Sequence, residues 1–394
     1  MALCEQNRAA VKERHGREFL MKSTFLAGLT HSEFLKRHWQ KKPLLARNAL
    51  KRYAGMLSRE NLFVLAQRDD IESRIVRRTR DRWHVEHGPF KLRDLQRLPP
   101  MNWTLLVQGV ETALAAGARL LREFAFVPYA RLDDLMVSYA TPQGGVGPHF
   151  DSYDVFLVQS QGRRCWRVSR QRDLDLVADA PLKILRKFAP DREWTVSPGD
   201  VLYLPPRYAH DGIAIDECIT CSVGFRSPAS QELASRFLDF LQDRLQVDGI
   251  YEDRDLEPAS RPARLPDAMI DHTASVLREM EWSHADVVEF IGRYLSEPKN
   301  TIVFARPSRP LSRPGFARQI LRRGVHLAPA TRMLFHRHQI FVNGERTKAD
   351  AASAMLFRRL ANARELAPDA DVPEGGWDAL YGWYLAGYIT LGPA

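Results

Sequence analysis

Cysteine is scarce. Only Cys4, Cys165, Cys218 and Cys221 occur in 394 residues, too few and too scattered for the disulfide framework of a small secreted domain. Cys218-Ile-Thr-Cys221 has the spacing of a zinc pair, but no second pair follows it. It also lies in an apolar, strand-like run, where residues three apart face opposite sides, so two packed thiols are expected. Long apolar runs are missing too: no stretch reaches the ~18 residues of a membrane-spanning helix. The N-terminus lacks a signal-peptide pattern, and a cytoplasmic protein without a membrane partner is expected. Residues 1–20 are polar and charged and read as a loose extension or a mis-assigned start, with ordered chain from Met21. Repeats and low-complexity tracts are absent. Lysine is rare: 46 of the 57 basic residues are arginine. The formal charge is +9, but the basic residues are interspersed with Asp and Glu, so charge alone does not demand nucleic acid.

What is present divides the chain. Its length suggests two or three domains. Thr30 and Glu33 have capping-box spacing before a helix over 30–40 that Pro43 ends. A second helix is expected over 58–67, strands in SRIVRR and RWHVEHGPF, and helix over 102–124. From Asp133 to about Arg226 the pattern changes to short apolar strands split by Gly and Pro, such as DLMVSYA, YDVFLVQ, RCWRVS, DVLYLP and CITCSVGFR. Many short strands at near-regular spacing indicate a sandwich or barrel. Residues 229–247 form an amphipathic helix with Leu233, Phe237, Phe240, Leu241 and Leu245 on one face. A Pro-rich linker at 254–266 precedes helix over 268–295, and a Pro/Arg-rich stretch follows at 306–314. The last part reads as strand, an Asn343-Gly344 turn, and helices at 349–363 and 376–390. Boundaries therefore fall near 228 and 300.

One segment carries chemistry: GPHFDSYDVFLVQSQGRRCWRV, residues 147–168. On a strand, His149 and Asp151 face the same side, roughly 6.5–7 Å apart along the chain. A third donor is available in SPGDVLYLPPRYAHDGIA, where His210 lies 59 residues beyond Asp151. Two imidazoles and one carboxylate occupy one face of an octahedral metal and leave three positions open, which suits Fe(II) in an oxygenase. Other close pairs are poorer. His284-Ala-Asp286 lies in an amphipathic helix, where positions two apart point about 200° apart. His84-Val-Glu86 and His336-Arg-His338 look extended but have no following strand with a distal His and a basic anchor. After the Gly162 turn, Arg164 and Trp166 share one strand face, and Arg163, Cys165 and Arg167 share the other. One of the two adjacent arginines should point inward as a fork for a co-substrate carboxylate; parity alone does not say which.

These stretches resemble the JmjC-type 2-oxoglutarate oxygenases, and more narrowly the bacterial ribosomal oxygenases. The matching segments are HWQKKPLL at 38–45, NWTLLVQGV at 102–110, residues 131–168, PGDVLYLPPRYAHDG at 198–212 and SVGFRSP at 222–228. The resemblance implies an α+β protein: a double-stranded β-helix (jelly-roll, cupin-like) catalytic domain over 21–228 with its core at about 117–228, a helical dimerisation region over 229–299, and a winged-helix-like domain over 300–394. It implies Fe(II), with 2-oxoglutarate and O2 as co-substrates, and His149, Asp151 and His210 at the metal positions. It assigns the 2-oxoglutarate carboxylate to Arg164 and Ser138. A substrate-arginine pocket maps to Asp134, Met136, Tyr153 and Ser222: a carboxylate for the guanidinium, an apolar and aromatic slot for its stem, and a hydroxyl. Cys165 stands where the family often has a basic residue, and by parity it faces away from the site.

The activity so implied is hydroxylation of the β-carbon (C3) of an arginine in ribosomal protein sixteen of the 50S subunit, by a homodimer that does not require nucleic acid. Three rivals stand beside it: the same chemistry on a histidine of another ribosomal protein, a metal cupin of another type, and a non-enzymatic nucleic-acid-binding regulator. Asp134 favours arginine, Arg164 with Ser138 argues against another cupin, and the helix at 349–363 offers only Arg358 and Arg359 as charged reach.

Overall fold

The computed structural model describes residues 24–80, 82–254 and 256–392; the expected N-terminal extension lies outside them. Eleven strands build the first part of the described chain: β1 (Leu44–Ala46), β2 (Ser73–Thr79), β3 (Arg82–His87), β4 (Trp103–Val107), β5 (Leu132–Ala140), β6 (Val155–Gln161), β7 (Arg164–Ser169), β8 (Arg192–Val196), β9 (Val201–Leu204), β10 (Ala209–Ala214) and β11 (Cys218–Phe225). They form a large sheet, β1-β9-β6-β11-β5-β4-β2-β3, and a small one, β10-β7-β8. The two face each other as a double-stranded β-helix.

Period-two alternation decides which side chains enter the barrel. Val155, Leu157, Leu202 and Leu204 of the large sheet meet Trp166, Val168 and Val196 of the small one inside. The intervening Phe156, Val158 and Tyr203 face outward into the main core. There the Phe156 ring lies 5.4 Å from Phe34, 4.8 Å from Phe124 and 4.9 Å from Tyr203. Phe34 comes from helix His31–Arg37, whose Thr30 and Glu33 close the expected capping box. The helix expected near 58 spans Arg59–Leu65. Cys218 and Cys221 are buried free thiols that join separate clusters on opposite faces of β11.

Two expectations need correction. Residues 102–124 are not one helix: β4 occupies Trp103–Val107, and two short helices follow, Val110–Ala113 and Ala115–Arg122. β4 is buried at every position: Trp103, Leu105 and Val107 pack in the main core while Thr104 and Leu106 share the face of Ser138, and a strand covered on both faces shows an unbroken apolar run that periodicity does not separate from helix. Residues 268–295 are two helices, Asp267–Arg278 and His284–Ser296. Ser283 and Asp286 make a capping box that starts the second, a signal the sequence displays as S-H-A-D.

The amphipathic helix spans Ser230–Gln242, so Leu245 lies past its end. Phe237 meets Phe290 of helix His284–Ser296 edge to face at 5.2 Å, and Phe240 packs against it tilted at 5.7 Å. The rest is a winged-helix arrangement: helix Arg313–Arg323, β12 (Val325–Leu327), β13 (Met333–His336), β14 (Gln339–Val342), β15 (Glu345–Thr347), helix Ala351–Ala363, β16 (Glu365–Leu366), helix Trp377–Ala386 and β17 (Ile389–Leu391). The last helix is shorter than expected because Gly387 caps it and β17 follows. Asn343 and Gly344 join β14 to β15 with φ of 50° and 88°, the pair of positive values a two-residue hairpin turn needs. Phe316, Ile320, Phe357, Leu360 and Leu380 are central to this second core.

Candidate metal centre

The three expected donors meet at one end of the barrel. One donor atom from each of His149, Asp151 and His210 lies within 4.8 Å of the other two. The imidazole rings are 4.2 Å apart, and His210 Nε2 is 3.7 Å from Asp151 Oδ2. Backbone pairing sets this geometry: the His149 N–H donates to the His210 carbonyl at 2.9 Å and the His210 N–H donates back at 2.8 Å. That reciprocal bridge corrects the strand reading of residues 149–153. His149 makes an isolated bridge, Asp151 lies in irregular chain, and β6 begins only at Val155. Tyr153 therefore precedes β6 in irregular chain, and it is 40% exposed.

Both imidazoles are oriented from behind. His149 Nδ1 lies 2.8 Å from the Gly147 carbonyl and His210 Nδ1 2.9 Å from that of Tyr208. A proton on each Nδ1 leaves each Nε2 lone pair for a metal. Burial first, and the facing His149 second, push His210 down to about 4, so at neutral pH it is an uncharged ligand. Gly212, beside His210 on β10, is required by a close approach: a Cβ there would sit 2.6 Å from the Trp166 ring.

The arginine pair resolves by parity and register. Arg163 points out and bonds Asp216 at 2.8 Å. Arg164 points in, is 4% exposed, and donates from Nη1 to Ser138 Oγ at 3.2 Å. Its Nε and Nη2 are buried with no partner, as are Trp166 Nε1 and Thr104 Oγ1. A buried cation without an anion is costly, and among the described residues Arg164 has no carboxylate partner, only the Trp166 ring with its centroid 5.6 Å away. Register places Arg164 opposite Ala214 and Val168 opposite His210, four residues or ~13 Å along the ladder. The residues fit the expected groups: hard and imidazole donors for a ferrous ion at one end, a guanidinium fork for a carboxylate at the other.

Asp134, Met136 and Ser138 lie along β5, and Ser222 of β11 pairs with Met136, so all four share the barrel face. Asp134 and Ser222 are buried, and Met136 is half-buried. Cys165 is on the outer face of β7; burial and the neighbouring Glu193 push its thiol up to about 11. The sequence reading missed Thr104, because its strand was read as helix, and the polar use of Trp166, whose parity with Arg164 was the available signal. Among the described residues, the rival pairs His84/Glu86 and His336/His338 belong to no cluster of three donors.

Fold and site together define a 2-oxoglutarate-dependent oxygenase of the JmjC class, and the JmjC domain model matches residues 119–233. A ROXA-like winged-helix model matches residues 279–390. The chain is 34% identical over 321 residues to the ribosomal protein uL16 3-hydroxylase of Escherichia coli K12, covering 81% of this chain and 85% of that one. It is 40% identical over 205 residues to a probable ribosomal oxygenase of Haemophilus influenzae, about half of each chain. YcfD, a ribosomal oxygenase from Escherichia coli solved with cobalt and 2-oxoglutarate, superposes with a TM-score of 0.77 at 29% identity, over 92% of this chain and 98% of that one. The chain belongs to the ribosomal oxygenase family.

Proposed function

We propose that this protein is an Fe(II)- and 2-oxoglutarate-dependent hydroxylase of the β-carbon (C3) of an arginine in large-subunit ribosomal protein uL16. The observation that carries the chemistry is the pairing of three convergent metal donors with a buried Arg164, two of its donors unpaired, on the strand that pairs with the one carrying His210. The similarity to the Escherichia coli uL16 3-hydroxylase supports the substrate, as does a buried carboxylate, Asp134, on the strand that also carries Ser138.

His149, Asp151 and His210 would hold the iron. When bound, iron with 2-oxoglutarate and O2 supplies the oxidising equivalent and leaves succinate and CO2. Arg164 and Ser138 receive the far carboxylate, and Thr104 and Trp166 complete its donors from the barrel wall. Asp134 receives the substrate guanidinium, Met136 and Tyr153 flank its stem, and Ser222 supplies a hydroxyl. Together they place the β-carbon at the metal and exclude water, the protein's share of the work. No side chain is assigned as general acid or base.

The finer organisation is part of the same proposal. Helix Asp267–Arg278 has no buried residue, and Met269, Ile270, Leu277 and the nearby Trp282 are exposed at 39, 51, 61 and 56%. An apolar face left bare in this way suits a second copy of the chain, and the working unit is a cytoplasmic homodimer that needs no nucleic acid. No helix among the described residues is long and apolar enough to cross a membrane.

Incubation with Fe(II), 2-oxoglutarate and a uL16 loop peptide should add one oxygen to an arginine, with stoichiometric succinate, and His149→Ala should abolish both. Oxygen found instead on a histidine peptide would overturn the substrate; succinate formation retained by His149→Ala would overturn the site.

A further inference from the structure

The carboxylate proposed to meet the substrate is already gripped by a cation of the chain itself. Lys299, in the loop after helix His284–Ser296, places Nζ 2.8 Å from Asp134 Oδ2 and 3.7 Å from Asp133 Oδ2. Asp133 has two further partners: Arg226 Nε at 3.2 Å from Oδ1, and Arg332 Nη2, which donates to the Asp133 carbonyl at 2.7 Å. Buried Glu111 accepts from the Leu135 N–H at 3.0 Å close by. Three carboxylates are thus gathered at one end of β5, and cations from outside the barrel balance them.

The grip on Asp134 is one-sided. Oδ2 holds Lys299, while Oδ1 faces a gap that Gly224 leaves open: a Cβ there would lie 3.8 Å from Oδ1 and 3.9 Å from the Tyr153 ring. A surface cavity of about 420 Å³ is lined in part by Asp133, Tyr153, Phe225, Arg226 and Lys299, the neighbours of Asp134 and Gly224. A carboxylate has about four lone-pair sites, so one ammonium on Oδ2 leaves room for a guanidinium on Oδ1.

We infer that Lys299 is a positioning residue for the substrate: it holds Asp134 by Oδ2 and presents Oδ1 to the gap between Gly224 and Tyr153. The inference rests on Asp134 being the partner of the substrate cation. Lys299 takes Oδ2, while Oδ1 is the oxygen nearest the space at Gly224, so the two cations would use different oxygens of Asp134. Without the ammonium, Asp134 would be a buried acid beside two others. Burial already pushes it up, and Lys299 is the foremost influence pulling it back. A carboxyl that has taken a proton, or swung toward Arg332, no longer receives a cation.

The test is steady-state kinetics on the uL16 loop peptide with Lys299→Met, Lys299→Arg and Asp134→Asn, with 2-oxoglutarate affinity measured to show that the barrel is intact. Lys299→Met should raise the peptide KM about tenfold with kcat within about twofold of the parent, and Lys299→Arg should restore KM. An unchanged or lower KM in Lys299→Met overturns the inference, since Lys299 is then a spectator or a competitor. Weakened 2-oxoglutarate binding in the same variant overturns it as well, in favour of a merely structural role. If Asp134→Asn itself keeps the parent KM, the fault lies with the reading of Asp134.

Discussion

Replacing Arg164 with Met should have two effects of opposite sign. In the free protein the guanidinium is 4% exposed, makes one hydrogen bond, to Ser138, and leaves Nε and Nη2 unpaired. Substituting an apolar side chain of similar length for an uncompensated buried charge should stabilise the ligand-free protein by ~1–3 kcal/mol, less ~1 kcal/mol for the lost bond to Ser138. The same change removes the fork that meets the far carboxylate of 2-oxoglutarate. Hydrogen bonds to charged groups contribute ~1.5–3 kcal/mol each. Losing two costs about 3–6 kcal/mol, a fall in affinity of roughly 10²–10⁴-fold at 1.4 kcal/mol per decade. Titration calorimetry of 2-oxoglutarate into the Mn(II)-loaded protein reads the second effect, and thermal unfolding of the metal-free protein reads the first. Affinity within about threefold of the parent would refute the assignment of Arg164. A marked drop in the metal-free Tm would refute the claim that its charge lacks a partner inside the barrel.

Glu111 supplies a pH prediction. Burial first, and the neighbouring Asp134 second, push it from 4.5 up to about 7. Between those values the unfolded chain has released a proton that the folded chain keeps, so this group makes stability fall as pH rises from about 4.5 to about 7. Glu111→Gln should therefore be more stable than the parent at pH 8 and nearly equal at pH 4.5; urea unfolding at both values decides. Phe156→Ala, in the aromatic cluster outside the barrel, should cost about 3–5 kcal/mol, and a chemical-denaturation loss below about 1 kcal/mol would show that cluster to be loosely packed. Ile270→Glu with Leu277→Glu should leave Tm near the parent value while the sedimentation coefficient falls to that of a monomer; an unaltered coefficient would refute the proposed dimer face.

Much of the site was legible because its chemistry is written in residue types that physics uses sparingly. His149, Asp151 and a distal His210 in a strand-rich region constrain the metal, and the Arg pair promises an anion. What parity left open, the choice between Arg163 and Arg164, register against β10 resolves. The fold was less legible wherever a segment is covered on both sides. β4 shows no alternation because neither of its faces meets water, and Thr104 was lost with it. Helix 268–295 seemed continuous because an apolar period persists across a break that only the Ser283 cap announces. Lys299 had no signal at all: a lone lysine in Pro-Lys-Asn acquires its role only when the chain folds back on β5.

The mutual backbone bridge between His149 and His210 has a consequence for how iron is acquired. A chain synthesised only as far as Asp151 holds two of the three donors but no clamp. The third lies 59 residues further on, and its backbone pairs with that of residue 149. The donor set is thus complete only where His210 is paired with residue 149, so the same backbone contact that joins these two segments also finishes the metal site.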